Sequence, residues 1–162
     1  MKIQTYTHKP ELKVFLKSLV LMLFLMTVLA MVFYLIFNSG ESVKEYLKSA
    51  AFILLFIPVI NSITKAYSDR KYTFTVSEVD DTVHVKNWAV NILQQNGMRI
   101  KSDTAQQTIL EPDRKFLRIL NYWFGTELVK VNYSEDKFSA TGHYRYIDVL
   151  DSKARFSRTS FR

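Results

Sequence analysis

Residues 19–37 read LVLMLFLMTVLAMVFYLIF, a stretch in which only Thr27 and Tyr34 carry a polar group. As a helix it is about 28 Å long at about 1.5 Å per residue, close to the roughly 30 Å hydrocarbon core of a bilayer. In lipid, backbone polar groups must be bonded internally, and a single helix does this. The competing explanation is a cleaved signal peptide. The run is too long for a typical apolar core of such a peptide, its leading segment is long, and no A-x-A-like site follows. A retained transmembrane helix is therefore expected over about 14–37, with Lys17 reaching from its edge toward the headgroups.

Working outward, 49–63 reads SAAFILLFIPVINSI between Lys48 and Lys65. Its purely apolar part, 50–60, is short enough to suit an interfacial or buried helix as well. Extension to 46–66 supplies a full span with Tyr46 and Tyr67 as interface anchors. Pro58 cannot donate to the carbonyl of Leu54, so a mild kink is expected. Asn61 and Ser62 suit contact with water or backbone near the membrane surface better than a permeation path. The connection between the two segments is short and opens with Asn38-Ser39-Gly40, which fits a helical hairpin.

Lysine and arginine set the expected orientation. Lys2, Lys9, Lys13 and Lys17 precede the first segment, and Lys65, Arg70 and Lys71 follow the second. The loop between has Lys44 and Lys48 balanced by Glu41 and Glu45. The bias puts both termini in the cytoplasm, with two spans in the inner (plasma) membrane. The sequon at Asn132-Tyr133-Ser134 is then fortuitous.

The formal net charge is +7 over 162 residues, and the halves on either side of Lys65 are both basic. That suits an anionic membrane face or a nucleic acid. The absence of cysteine excludes disulfides, thiolate nucleophiles and zinc–thiolate sites.

After Arg70 the periodicity changes. Residues 72–78 (YTFTVSE) read as a strand. Asp80-Asp81 open a helix bearing Val85, Trp88, Ala89, Ile92 and Leu93 on one face, and Asn96-Gly97 stop it. Residues 98–101 and 108–111 read as paired strands. A second helix over about 113–124 carries Phe116, Leu117, Leu120, Trp123 and Phe124, and ends at Gly125. Strands at 128–133 and 138–141 flank a polar turn, Gly142 breaks the second, and a short helix follows over 146–154. The order helix, glycine stop, strand, turn, strand occurs twice, a weak internal repeat in which Trp88 and Trp123 hold equivalent faces and are expected to pack in the core.

The expected fold is a membrane-anchored α+β chain. An N-terminal basic segment and two-helix transmembrane hairpin occupy 1–67. A small domain with helices packed on a mainly antiparallel sheet, ending in a basic tail, occupies 68–162.

No phosphate loop, dinucleotide fingerprint, nucleophile elbow or zinc-protease motif is present. Asp80-Asp81, Glu111 with Asp113, and Glu135-Asp136 have sufficient roles at helix starts and a hairpin tip. His84 and His143 lack sequence partners. The reading names no catalytic, cofactor-binding or metal site. One basic and aromatic patch stands out: Arg114, Lys115 and Arg118 opposite the apolar stripe of the second domain helix, and Lys153, Arg155, Phe156, Arg158, Phe161 and Arg162 near the C-terminus. Basic residues mixed with aromatics suit an anionic lipid surface. They also suit single-stranded nucleic acid, which the nearby anchor makes the weaker expectation. The leading functional expectation is a non-enzymatic, membrane-anchored binding, scaffold or regulatory protein with a protein partner or second copy of itself. The alternative is a membrane-associated enzyme or transporter accessory subunit whose site converges only in three dimensions.

Overall fold

The computed structural model describes residues 2–37, 40, 42–79, 81–134 and 136–156. Two units separate. One is the helical segment Pro10–Ser68, and the other joins the described residues up to Lys9 to those from Asp69 onward.

The helical unit consists of α1 (Leu12–Phe37) and α2 (Val43–Ser68), both long and apolar enough to cross a membrane. They pack against each other, with Tyr34 and Tyr46 in ring contact at 5.4 Å near the connection. The small residues Ser18, Ala30, Ser62 and Ala66 are buried, as close approach of two helices requires. Pro58 lies inside α2, which continues as a helix through it. Polar side chains inside the apolar stretches bond their own backbone: Thr27 Oγ1 donates to the Leu23 carbonyl at 2.8 Å and Asn61 Nδ2 to that of Ile57 at 3.0 Å.

The second unit is α+β. Its strands are β1 (Lys2–Thr7), β2 (Lys71–Ser77), β3 (Met98–Asp103), β4 (Gln107–Pro112), β5 (Val129–Tyr133) and β6 (Lys137–His143). They form one sheet in the order β1-β2-β6-β5-β4-β3, with every neighbouring pair antiparallel. Its helices are α3 (Thr82–Gln95), α4 (Lys115–Phe124) and α5 (Tyr144–Phe156).

Period-two alternation directs Phe74, Val76, Phe138, Ala140, Val129, Val131 and Leu110 to one face. Val85, Ala89, Ile92 and Leu93 of α3 and Tyr146, Ile147 and Leu150 of α5 join them in the core. Phe74 and Phe138 meet edge to face at 6.3 Å. The opposite face is polar: Thr73 and Thr141 hydroxyls bond at 2.7 Å and Gln107 donates to Asn132 at 2.6 Å. The edge strand β3 carries Arg99 and Lys101 and a register shift between Ile100 and Ser102, features that discourage edge pairing with another chain.

Several sequence expectations change here. β1 lies within the basic segment grouped with the hairpin, yet it pairs with β2 from Lys2↔Ser77 to Thr7↔Tyr72, and the His8 amide extends the ladder to the Lys71 carbonyl at 2.9 Å. The helical unit is thus an insertion between two adjacent strands, in the place of a turn. Gly142 does not end β6; it sits inside it. A Cβ there would lie 2.7 Å from Val129 Cγ2 and 3.1 Å from the Leu128 carbonyl, so glycine permits the close approach of β5. The helix stops are where expected, with Gly97 and Gly125 at φ of 80° and 75°. Asp81 accepts from the His84 amide at 2.9 Å as the α3 N-cap; Asp80 and Glu135 lie outside the described residues. The second domain helix begins later than expected, at Lys115, with no side-chain cap from Arg114.

Candidate functional site

α4 connects the end of β4 to the start of β5 and packs mainly against β4. Gly125 closes it in the left-handed conformation, its amide bonding the Asn121 carbonyl at 2.7 Å, and Asn121 Oδ1 accepts from the Glu127 amide at 3.1 Å. These bonds fix the helix end and turn Asn121 and Phe124 inward.

The outward face is the unexpected one. Phe116 is 69% exposed, Ile119 68%, Tyr122 91% and Trp123 47%. Phe116 and Trp123 therefore leave the expected core stripe, and Leu117 and Leu120 are only half-buried. The inner face of the sheet is already covered by α3 and α5, so α4 has no second apolar layer to meet. The internal repeat survives as an order of elements and fails as a packing scheme: Trp88 on α3 packs against the core while Trp123 on α4 is exposed.

Arg114 and Lys115 are exposed at the start of α4, and Arg118 is half-buried one turn on. Arg118 contributes to the field at Glu111, whose carboxyl is held below its usual range first by the hydrogen bond from Arg99 and then by the charges of Arg99, Lys101 and Arg118, against burial. Arg114 and Glu127 both act on the Tyr146 phenol, which burial pushes up.

The structure separates this cluster from the C-terminal one. Tyr144 begins α5 against Tyr72 of β2 at 5.0 Å, and Asp151 accepts from Thr5 of β1 at 2.9 Å, so α5 travels toward β1 and away from β4. It carries Lys153, Arg155 and Phe156 with it; Arg155 is paired to Asp151 at 2.9 Å and Phe156 is 85% exposed. Arg158, Phe161 and Arg162 lie outside the described residues.

Other polar groups form local structures that sequence reasoning missed. Lys86 donates to Asp103 at 3.0 Å and to the Tyr133 hydroxyl at 2.9 Å, and Thr108 donates to Asp103 at 2.5 Å. Mainly through the Thr108 bond, and then through Lys86, Asp103 is lowered from the ordinary carboxylate range. His143 Nε2 stands 3.8 Å from Oδ1 of buried Asp69. An open groove beside the β3–β4 and β5–β6 turns is lined by Thr82, Gln107, Asn132, Tyr133, Lys137 and Ser139, a set of hydroxyls and amides with one lysine. Among the described residues no group of three or more His, Asp or Glu side chains has metal-site geometry.

These features define an α+β protein whose antiparallel sheet carries a long helical hairpin inserted between its first two strands. Comparison with protein-family models, with curated proteins and with solved structures gives no match for the chain.

Proposed function

We propose that the chain is an integral membrane protein, held by α1 and α2 as a transmembrane hairpin, whose α+β domain acts by binding as a scaffold or regulator rather than by catalysis. The observation that carries the membrane reading is the exposure of the apolar helices. Only 6% of the most apolar stretch of α1 and 11% of that of α2 is buried. A core helix of a soluble protein would be mostly buried, and apolar surface on this scale is unstable in water. Each helix has 26 residues, about 39 Å at about 1.5 Å per residue, enough to span with some tilt. The basic flanks favour both termini in the cytoplasm and the inner membrane as location.

The binding class is supported by the exposed aromatic face of α4, since apolar surface turned outward beside a complete core marks an interaction site. The enzyme or transporter-accessory alternative rests on half-buried His143 standing 3.8 Å from buried Asp69.

Reporter fusions test the reading. A fluorescent protein that matures only in the cytoplasm should be bright after Arg162, and a periplasm-active phosphatase should work when placed in the loop between α1 and α2. Phosphatase activity after Arg162, or release of the chain by alkaline carbonate, would refute it.

A further inference from the structure

We propose that α4 is an in-plane interfacial helix, whose exposed aromatic face enters the headgroup layer of an anionic bilayer, the same bilayer that holds the hairpin. The inference rests on the membrane reading above and names the surface that the domain binds.

The first argument is the chemistry of the exposed face. Phe116, Ile119 and Trp123 follow one another at helical spacing, and Tyr122 lies beside them. Tryptophan and tyrosine have amphipathic rings that partition to the headgroup level. Arg114 and Lys115 stand exposed at the N-terminal turn, and α4 itself contains no acidic residue. Apolar insertion combined with basic residues is the pattern of helices that lie in the plane of an anionic membrane. The local charge remains positive in its setting: Arg99, Lys101, Arg114, Lys115, Arg118 and Arg145 against Glu111, Asp113 and Glu127.

The second argument is position within the sheet. The register pairs Lys71 with His143, Lys130 with Thr141, and Leu110 with Val129. The end of β4, the start of β5, the end of β6 and the start of β2 therefore lie along one end of the sheet. Thr7 pairs with Tyr72, so β1 also leaves the sheet at that end. α4 thus sits at the end through which both chain crossings to the apolar helices run. Only Asp69 and Arg70 separate α2 from β2, a connection of at most about 10 Å. β5 and β4 are two and three strands from β2, or about 10–15 Å at about 4.8 Å per strand. The two-residue connection tethers the domain to the end of α2 and so holds it at high effective concentration against a bilayer that α2 spans. Phe156, which is also exposed and has basic neighbours, is carried away from this end by α5 and takes no part.

The test uses the full chain in lipid nanodiscs bounded by a tryptophan-free scaffold. Trp88→Phe leaves Trp123 as the sole tryptophan. Discs contain either phosphatidylcholine alone or phosphatidylcholine with phosphatidylglycerol, each with ordinary or brominated acyl chains. In the anionic discs Trp123 emission should shift to the blue and fall about twofold with bromine placed near the headgroups. Arg114→Gln with Lys115→Gln should lower the docked-to-undocked ratio roughly twenty-five-fold, about fivefold per charge near an anionic surface. Hydrogen exchange of the unmutated chain provides a second readout: amides of 115–124 should be slower in anionic than in neutral discs. Emission equally bright with ordinary and brominated lipid in both compositions, with no change in exchange, would overturn the proposal. So would unquenched emission together with a disulfide between two copies through Tyr122→Cys, which would assign the face to a second copy. Failure of the chain to enter discs would overturn the anchor reading as well; entry without quenching overturns the α4 inference alone.

Discussion

Removing β1 should weaken the α+β unit measurably, although these residues precede the hairpin. The perturbation compares two soluble chains. One begins at Ser68. The other joins 1–9 to 69–162 through about six Gly/Ser residues, whose reach of about 13 Å covers the gap between paired strand ends. The six register pairs of β1 with β2 supply about six backbone hydrogen bonds, each contributing a net ~1 kcal/mol. Ile3, partly buried against the core, adds ~1 kcal/mol, about half the value of a fully buried aliphatic chain. The Thr5–Asp151 bond adds about as much again. Against this total of about 8 kcal/mol stands the ordering of six residues at ~1 kcal/mol each. About 2 kcal/mol remains, a large share of the ~5–15 kcal/mol that stabilises an ordinary domain. In urea, with a slope of about 1–3 kcal/mol/M, the midpoint of the spliced chain should lie about 1 M above that of the truncated one. Circular dichroism at several urea concentrations measures it. Equal midpoints would show that β1 contributes nothing net and would refute the assignment of these residues to the folded sheet.

Two further outcomes follow from the same packing. In the spliced chain Phe138→Ala should cost ~3–5 kcal/mol as a fully buried aromatic, while Trp123→Ala costs well under half of that because much of the ring faces solvent; a comparable loss of melting temperature would put Trp123 back in the core. Glu111 has a folded pKa below its unfolded value, first because Arg99 bonds its carboxylate, so its contribution is present above the unfolded pKa and lost as pH falls through the folded one. Arg99→Met should therefore destabilise at neutral pH, and the gap to wild type should narrow as pH falls below the unfolded value of about 4.3; a gap constant down to pH 2–3 would show that the pair makes no pH-dependent contribution.

Local pattern made much of this protein legible. The apolar stretches of α1 and α2 were expected to be helices from their length and composition, and they are. Asp81, Gly97 and Gly125 punctuate the chain through caps that depend on immediate neighbours, so the ends of α3 and α4 could be read directly. Residues 72–78 and 128–133 read as strands from the sequence, and β2 and β5 lie there. The basic residues of α4 were legible as a cluster because they stand within five positions of one another.

What needed the tertiary structure is whatever depends on residues far apart in the chain. β1 has the alternation of a strand in Ile3, Thr5 and Thr7, yet its partner lies beyond the whole hairpin, and no local signal announces that pairing. Gly142 looked like a break because glycine weakens strands in isolation; the approach of Val129 gives it a place inside one. The amphipathic pattern of α4 established that apolar residues share faces of a helix, and it could not say which face the domain would cover. α3 and α5 occupy the inner face of the sheet, α4 is left at its end, and Phe116, Ile119, Tyr122 and Trp123 face outward because burial is decided by what the neighbouring elements leave open, which only the assembled sheet determines.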